Sequence, residues 1–277
     1  MRPSVAIGTC GFSYRDWVGP VYPKGTKPAQ MLELYAQRFP IVEIDATYYR
    51  VLPAATFAAM AQRTPDRFRF TAKLPGTGTH VPVELAGKVH DDVLAFRESV
   101  DPIVAAGRFA AALMQFPTSF HPSDATRDHI VALRRALPDL RLAAEFRHRE
   151  WQTNETLELL RGLKIALVNV DEPHFKDLPR PSADVTADFS YLRFHGRNYK
   201  TWWKGDSASR YDYEYSKEEL EPWVHRLVDT AANPDVREVL VFLNNHPRGQ
   251  AVRNAQLFEE MVEAVLPPGS VQGAPTR

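Results

Sequence analysis

The chain has 277 residues, 44% of them hydrophobic, and its 34 Lys and Arg residues balance 34 Asp and Glu. That length suits one α/β barrel of about 250 residues, and the balanced charge excludes a global field that would draw the protein onto nucleic acid or an anionic membrane. A single cysteine, Cys10, excludes an intrachain disulfide and a cysteine-only metal cluster, and no stretch approaches the roughly 20 apolar residues of a membrane span, so a cytoplasmic location without a membrane partner is expected.

A short apolar strand at 4–7 stops at Gly8-Thr9-Cys10-Gly11, and a long loop follows that carries Phe12, Tyr14, Trp17 and Tyr22. Residues 30–39 have a helical spacing closed by Pro40, and 41–44 form the second strand, which places Glu43 and Asp45 on one face. Tyr49 and Arg50 lie in the next loop, before a helix at 54–63 and a third strand at 68–73 with Lys73 at its tip. Residues 75–80 read as a flexible Gly/Thr loop, with His80 facing solvent, and 91–100 as a helix.

The nearly continuous apolar run 109–115 is the kind of strand that a parallel sheet buries on both faces, and it ends at Gln115. A helix over 123–137, capped by Ser123, leads to a fifth strand at 141–145 that closes on Glu145, Arg147 and His148. After a short helix at 154–162, the sixth strand at 164–170 carries Asn169 and Asp171 at its end. Pro173, Pro179 and Pro181 then break any helical period, so one crossover helix is degraded. The seventh strand, 189–195, places Arg193 and His195 on one face. The loop 197–215 is dense in Trp, Tyr, Lys and Arg and includes Trp202 and Trp203. A helix at 217–231, an eighth strand at 239–243 ending in Asn244 and Asn245, and a helix at 251–266 complete the pattern.

Eight strands with mostly helical connections predict a TIM-type (β/α)8 barrel as a single domain over 1–266, with 267–277 as a flexible tail. No Gly-x-Gly-x-x-Gly follows the first strand, which argues against an open dinucleotide-binding sheet. In a barrel the strand tips meet at one mouth, so Glu43, Lys73, Glu145 and His195 are the expected catalytic groups. Glu43 or Glu145 would act as base, and His195 as acid or base near neutral pH. Asp45, Tyr49, Arg50, Gln115, Arg147, His148, Arg193, Trp202, Trp203, Asn244 and Asn245 would bind substrate. The acids and His195 are donors that a divalent metal accepts, but Lys73, Arg147 and Arg193 stand beside them and no His-Glu-x-x-His spacing occurs, so no tightly held metal or other cofactor is expected there. The near balance of these charges favours a small polar ligand, phosphorylated, sugar-like or nucleotide-like. The aromatic loop, with Gly196 and Gly205 as pivots, would close over it as a lid and leave both tryptophans partly exposed when empty.

Gly8-Thr9-Cys10-Gly11-Phe12-Ser13-Tyr14, Glu43-Ile44-Asp45-Ala46-Thr47-Tyr48-Tyr49-Arg50, Phe70-Thr71-Ala72-Lys73, Gln115-Phe116-Pro117, Glu145-Phe146-Arg147-His148, Tyr191-Leu192-Arg193-Phe194-His195-Gly196 and Phe242-Leu243-Asn244-Asn245 together resemble the YecE-like family, the domain of unknown function numbered seventy-two. The resemblance spans about residues 4–266; it implies a TIM-barrel fold and no established reaction. The chain departs from the usual family pattern at Cys10-Gly11-Phe12, in place of Ser-Gly-Trp, at Asp45, in place of Asn, and at His246, in place of Asp. Barrels of the endonuclease IV type are similar in outline, which leaves a nucleic-acid-binding or phosphodiester-processing protein as the alternative to an enzyme for small substrates.

Overall fold

In the computed structural model, which describes residues 4–80 and 89–275, eight parallel strands close into a barrel in chain order. The strands are β1 (Ser4–Cys10), β2 (Ile41–Ile44), β3 (Arg69–Lys73), β4 (Phe109–Gln115), β5 (Leu142–Glu145), β6 (Ile165–Asp171), β7 (Phe189–Phe194) and β8 (Glu238–Leu243). The ring is sealed where β8 pairs with β1, from Ser4 opposite Glu238 to Thr9 opposite Leu243. Helices α1 (Pro28–Ala36), α2 (Ala54–Gln62), α3 (Gly76–Thr79), α4 (Asp91–Ser99), α5 (Asp101–Ala105), α6 (Asp124–Ala136), α7 (Asn154–Leu163), α8 (Ser207–Arg210), α9 (Lys217–Ala232) and α10 (Gln250–Glu263) accompany them. No helix among the described residues is long and apolar enough to cross a membrane.

Local chemistry sets several of these boundaries. At α6, Ser123 Oγ accepts the Thr126 N–H at 3.2 Å while Thr126 Oγ1 accepts the Ser123 N–H at 2.8 Å, so two otherwise orphaned donors are satisfied reciprocally. The stretch 75–80, expected as a flexible loop, instead forms the turn α3. A side chain at Gly78 would come within 2.7 Å of Val93, so glycine is what allows α4 to pack there. No helix separates β6 from β7. In its place the proline-rich connection is tied back by Asn169, which donates to the Asp184 carbonyl and accepts from Ser182 Oγ and the Asp184 N–H.

Strand periodicity divides the apolar core into two layers. Val5, Val42, Phe70, Ala112, Leu142, Leu167, Leu192 and Val241 pack outward against the helices. The alternate positions, among them Ala6, Ile41, Ala111, Ala143, Val168, Tyr191 and Leu240, form a second cluster that contains no helix residue and fills the lumen. At the lower end, Glu238 pairs with Arg69 at 2.6 Å and Arg141 at 2.7 Å. The segment from 267, expected as a flexible tail, reaches the same end: Val5 N–H donates to the Ser270 carbonyl, Gln272 N–H donates to the Val5 carbonyl, and Arg69 Nη2 donates to Gln272 Oε1 at 3.0 Å. Backbone pairing along β1 is what holds it.

Candidate active site

The lumen phase, continued upward, decides which tip residues face the mouth. Ala6 leads to Cys10, Ile41 to Glu43 and Asp45, Thr71 to Lys73, Leu113 to Gln115, Ala143 to Glu145 and Arg147, Val170 to Glu172, Tyr191 to Arg193 and His195, and Phe242 to Asn244. All of these except Asp45 and Gln115 are buried.

Arg193 is the centre of the arrangement. Its Nη2 lies 2.5 Å from Glu43 Oε1 and 3.8 Å from Asp45 Oδ1, and its Nη1 lies 2.5 Å from Glu145 Oε2 and 3.4 Å from Gln115 Oε1. Glu43 also accepts a hydrogen bond from Tyr191 Oη. Arg147 continues the alternation, with Nε 2.5 Å from Glu145 Oε1, in an ion contact too bent to count as a hydrogen bond, and Nη1 donating to Glu172 Oε2 at 3.0 Å. Charges of alternating sign thus run from Glu43 on β2 through Arg193 on β7 and Glu145 on β5 to Arg147, with Glu172 after β6 closing the line of contacts. His195 Nε2 is 3.2 Å from Glu145 Oε1, and its Nδ1 is 3.0 Å from Asn244 Nδ2. Arg147 Nη2 also lies 3.2 Å from His195 Nε2, so that nitrogen faces a guanidinium donor as well as the Glu145 carboxylate.

These surroundings shift the titratable groups in different directions. Burial works to raise the Glu145 carboxyl, but Arg147 and Arg193 overcome it and hold the group well below the usual carboxylate range. Clasped from two sides, it is a fixed charge rather than a free base. Burial, reinforced by Arg147, pushes His195 down to about 3, so at neutral pH it is a neutral hydrogen-bonding group. Glu43 is raised by burial against the opposing pull of Arg193. Glu172 is raised to about 8 by burial, which outweighs the opposing pull of Arg147, with Glu145 and Asp171 adding to the rise. It therefore carries a proton at neutral pH, and its Oε1 is buried without a partner. Lys73 is lowered, chiefly by burial, with Arg193 and Arg147 adding to the effect. Its Nζ stands 4.1 Å over the Tyr48 ring and pairs with no carboxylate among the described residues. The Cys10, Glu43 and Asp45 ligand atoms also converge, but Arg193 Nη2, 3.4 Å from Cys10 Sγ, already occupies the position that a cation would take.

Of the expected site residues, Glu43, Asp45, Lys73, Gln115, Glu145, Arg147, Arg193, His195 and Asn244 come together at the mouth. Asn245 does not: it points outward, where its Nδ2 donates to the Tyr213 carbonyl and to Asn254 Oδ1, both at 2.8 Å. His148 has the outward phase too, and its Nδ1 accepts the Glu150 N–H to cap the short helical turn Arg149–Trp151. Tyr49, 81% exposed, and Arg50 sit on the loop after β2 and face solvent. Asp171 lies behind the barrel wall, where it accepts from Arg197, Tyr215 Oη and Trp223 Nε1. His80 is half-buried against Tyr48, not solvent-facing, and is pushed down to about 4 by burial and by Lys73. Glu172 and Tyr191 were missed. The signal for Glu172 was the alternation Ala166, Val168, Val170, but a run that is apolar at both phases hid which phase faces in.

The aromatic loop covers one side of this mouth. Trp202 is 3% exposed and lies 5.9 Å from the Arg147 guanidinium, whereas Trp203 is 53% exposed, so the two indoles differ where both were expected to be partly open. Tyr211 stands 6.0 Å from the His195 ring. The loop is braced internally, with Asn198 Nδ2 donating to the Ser209 and Asp212 carbonyls. The expected pivots are packed: a side chain would come within 2.7 Å of Tyr213 at Gly196 and within 2.3 Å of Ser209 at Gly205.

A family model described as a protein of unknown function, DUF72, matches residues 6–275. The UPF0759 protein YunF of Bacillus subtilis is 29% identical over 275 residues, covering 94% of this chain and 95% of its own. Among solved structures, a DUF72 family protein from Thermotoga maritima superposes with a TM-score of 0.87 at 40% identity, covering 94% of this chain and 99% of that one. A DUF72 family protein from Enterococcus faecalis does so with a TM-score of 0.82 at 25% identity, covering 95% and 97%.

Proposed function

Since the chain belongs to the DUF72 family of proteins of unknown function, its chemistry has to be read from its own mouth, and we propose that it is an enzyme acting there on a small polar substrate by acid–base catalysis. One observation carries this reading: the mouth holds a carboxyl that keeps its proton at neutral pH, Glu172, and an amine, Lys73, that burial lowers and that no carboxylate pairs among the described residues. Environments that push titratable groups away from their ordinary values in this way are how active sites assign acid and base roles. Glu172 is the proton donor. Lys73 anchors an anionic substituent, phosphate or carboxylate, or accepts a proton from the substrate. The Glu43, Arg193, Glu145 and Arg147 array is a preorganised floor whose alternating charges orient a polar molecule without favouring a polyanion. Asp45 and Gln115, the partly exposed members, form the approach.

A thermal-shift screen of sugars, sugar phosphates and nucleotides, followed by calorimetry on any hit, tests this. The expected result is a ligand whose affinity falls roughly tenfold or more in Lys73→Met, as removal of a tuned polar interaction requires, and whose turnover is abolished in Glu172→Gln. A ligand bound equally well by both variants would place the site elsewhere.

A second reading, a single-stranded nucleic acid laid beside the mouth, is favoured by one feature. Trp203 and Tyr199 are exposed and pack on Phe175 at 5.7 and 5.3 Å, with Lys176, Lys200 and Lys204 exposed in the same segments. Oligonucleotide binding that falls steeply with salt and is abolished in Trp203→Ala would select it over the enzyme.

A further inference from the structure

A second constellation lies on the outer rim, away from the lumen. His121, on the loop after β4, and His148 and Glu150, on the loop after β5, each offer a ligand atom within 4.8 Å of the other two. His121 Nδ1 is 2.8 Å from Glu150 Oε2, His148 Nδ1 is 3.7 Å from the same oxygen, and the two imidazole rings are 4.3 Å apart. We propose that these three side chains form a binding site for a divalent transition metal of the zinc class, independent of the mouth.

The donor set selects the ion. Two imidazoles and one carboxylate suit zinc, copper and nickel, whereas magnesium and calcium require oxygen ligands. Three protein ligands leave a fourth tetrahedral position to water. Both histidines already converge on one carboxylate oxygen, so the ion would replace the proton between His121 and Glu150 and draw His148 in by a small rotation, its Nδ1 giving up the hydrogen bond from the Glu150 N–H.

The backbone beneath is organised before any ion arrives. Trp151 Nε1 donates to the Phe120 carbonyl at 2.6 Å, and the two rings stack at 5.4 Å, which fastens the residue next to His121 to the residue next to Glu150. That buried clasp means that ordering the ligands costs little on binding. Arg149, between two of the ligands in sequence, is turned aside, because its Nη1 donates to the Lys176 carbonyl at 3.1 Å. His121 and Glu150 are exposed, so a hydrated ion can reach them. His148 directly follows Arg147, and an ion held here would pin the backbone that carries the guanidinium between Glu145 and Glu172.

The test is a calorimetric titration of chelator-treated protein with zinc chloride, repeated with His121→Ala, Glu150→Gln and Cys10→Ser, each checked for folding by circular dichroism. Wild type and Cys10→Ser are expected to bind one zinc per chain, with affinity weakened roughly tenfold or more in His121→Ala and Glu150→Gln, since removing even an outer-sphere partner costs that much. Magnesium at the same concentrations should give no heat. Absence of stoichiometric zinc binding, or binding that His121→Ala leaves unchanged, would overturn the proposal.

Discussion

Arg147 Nη1 donates to Glu172 Oε2 at 3.0 Å, and this contact leaves Glu172 Oε1 buried without a partner. Burial, which a guanidinium that also serves Glu145 does not fully offset, is why Glu172 keeps its proton up to about 8. Its pKa is higher folded than unfolded, where it is near 4.5, so the native state binds more protons between those values and stability falls as pH rises through that window. Three other groups, His195, His80 and Glu259, overlap it. His195 and His80, held at about 3 and about 4, make stability rise with pH up to their unfolded value near 6.5, and Glu259, raised to about 7 by burial and by its acidic neighbours Glu263 and Glu260, adds to the fall below that point. Glu172 therefore dominates between pH 7 and 8. Urea midpoints should drop there with a slope approaching about 1.4 kcal/mol per pH unit, and Glu172→Gln should flatten it. An unchanged slope in the variant would mean that Glu172 ionises normally.

Glu145→Ala should destabilise strongly and Glu145→Gln much less, because truncation leaves Arg147 and Arg193 facing an empty position inside the barrel. Breaking a buried pair from one side costs about 3–5 kcal/mol. Denaturant midpoints measure it, and equal small shifts in both variants would show a solvated carboxylate.

Asn245→Ala should cost about 1–3 kcal/mol of stability, the penalty for leaving its partners at Tyr213 and Asn254 unsatisfied. It should leave ligand affinity at the mouth unchanged. A drop in affinity without a drop in stability, seen by calorimetry and urea titration, would return Asn245 to the binding site.

Acrylamide quenching should find one accessible tryptophan among the five, since Trp17, Trp151, Trp202 and Trp223 are buried. Trp203→Phe should remove the quenchable fraction and Trp202→Phe should not. Two accessible indoles in the wild type would mean that the aromatic loop opens in solution.

The barrel was legible in the sequence because each strand announces itself by an apolar run and each helix by a 3.6-residue period, and both signals are local. The pairs Glu43 with Asp45 and Arg193 with His195 were legible for the same reason: a two-residue spacing puts side chains on one face whatever the fold. Sequence alone could not say which face. The β6 run Ile165–Asp171 is buried on both sides, so its alternation has no polar marker of phase, and Asn169 and Asp171 were expected where Glu172 stands. Asn244 and Asn245 posed the same choice, settled only when Asn254 on α10 took the outward amide. Charge states were further out of reach. Glu145 and Glu172 are the same residue type at adjacent strand tips, yet one is held ionised and the other protonated, because Glu145 lies between two guanidiniums and Glu172 touches one. That difference depends on distances of a few ångströms between strands far apart in the chain, which only the closure of the barrel decides.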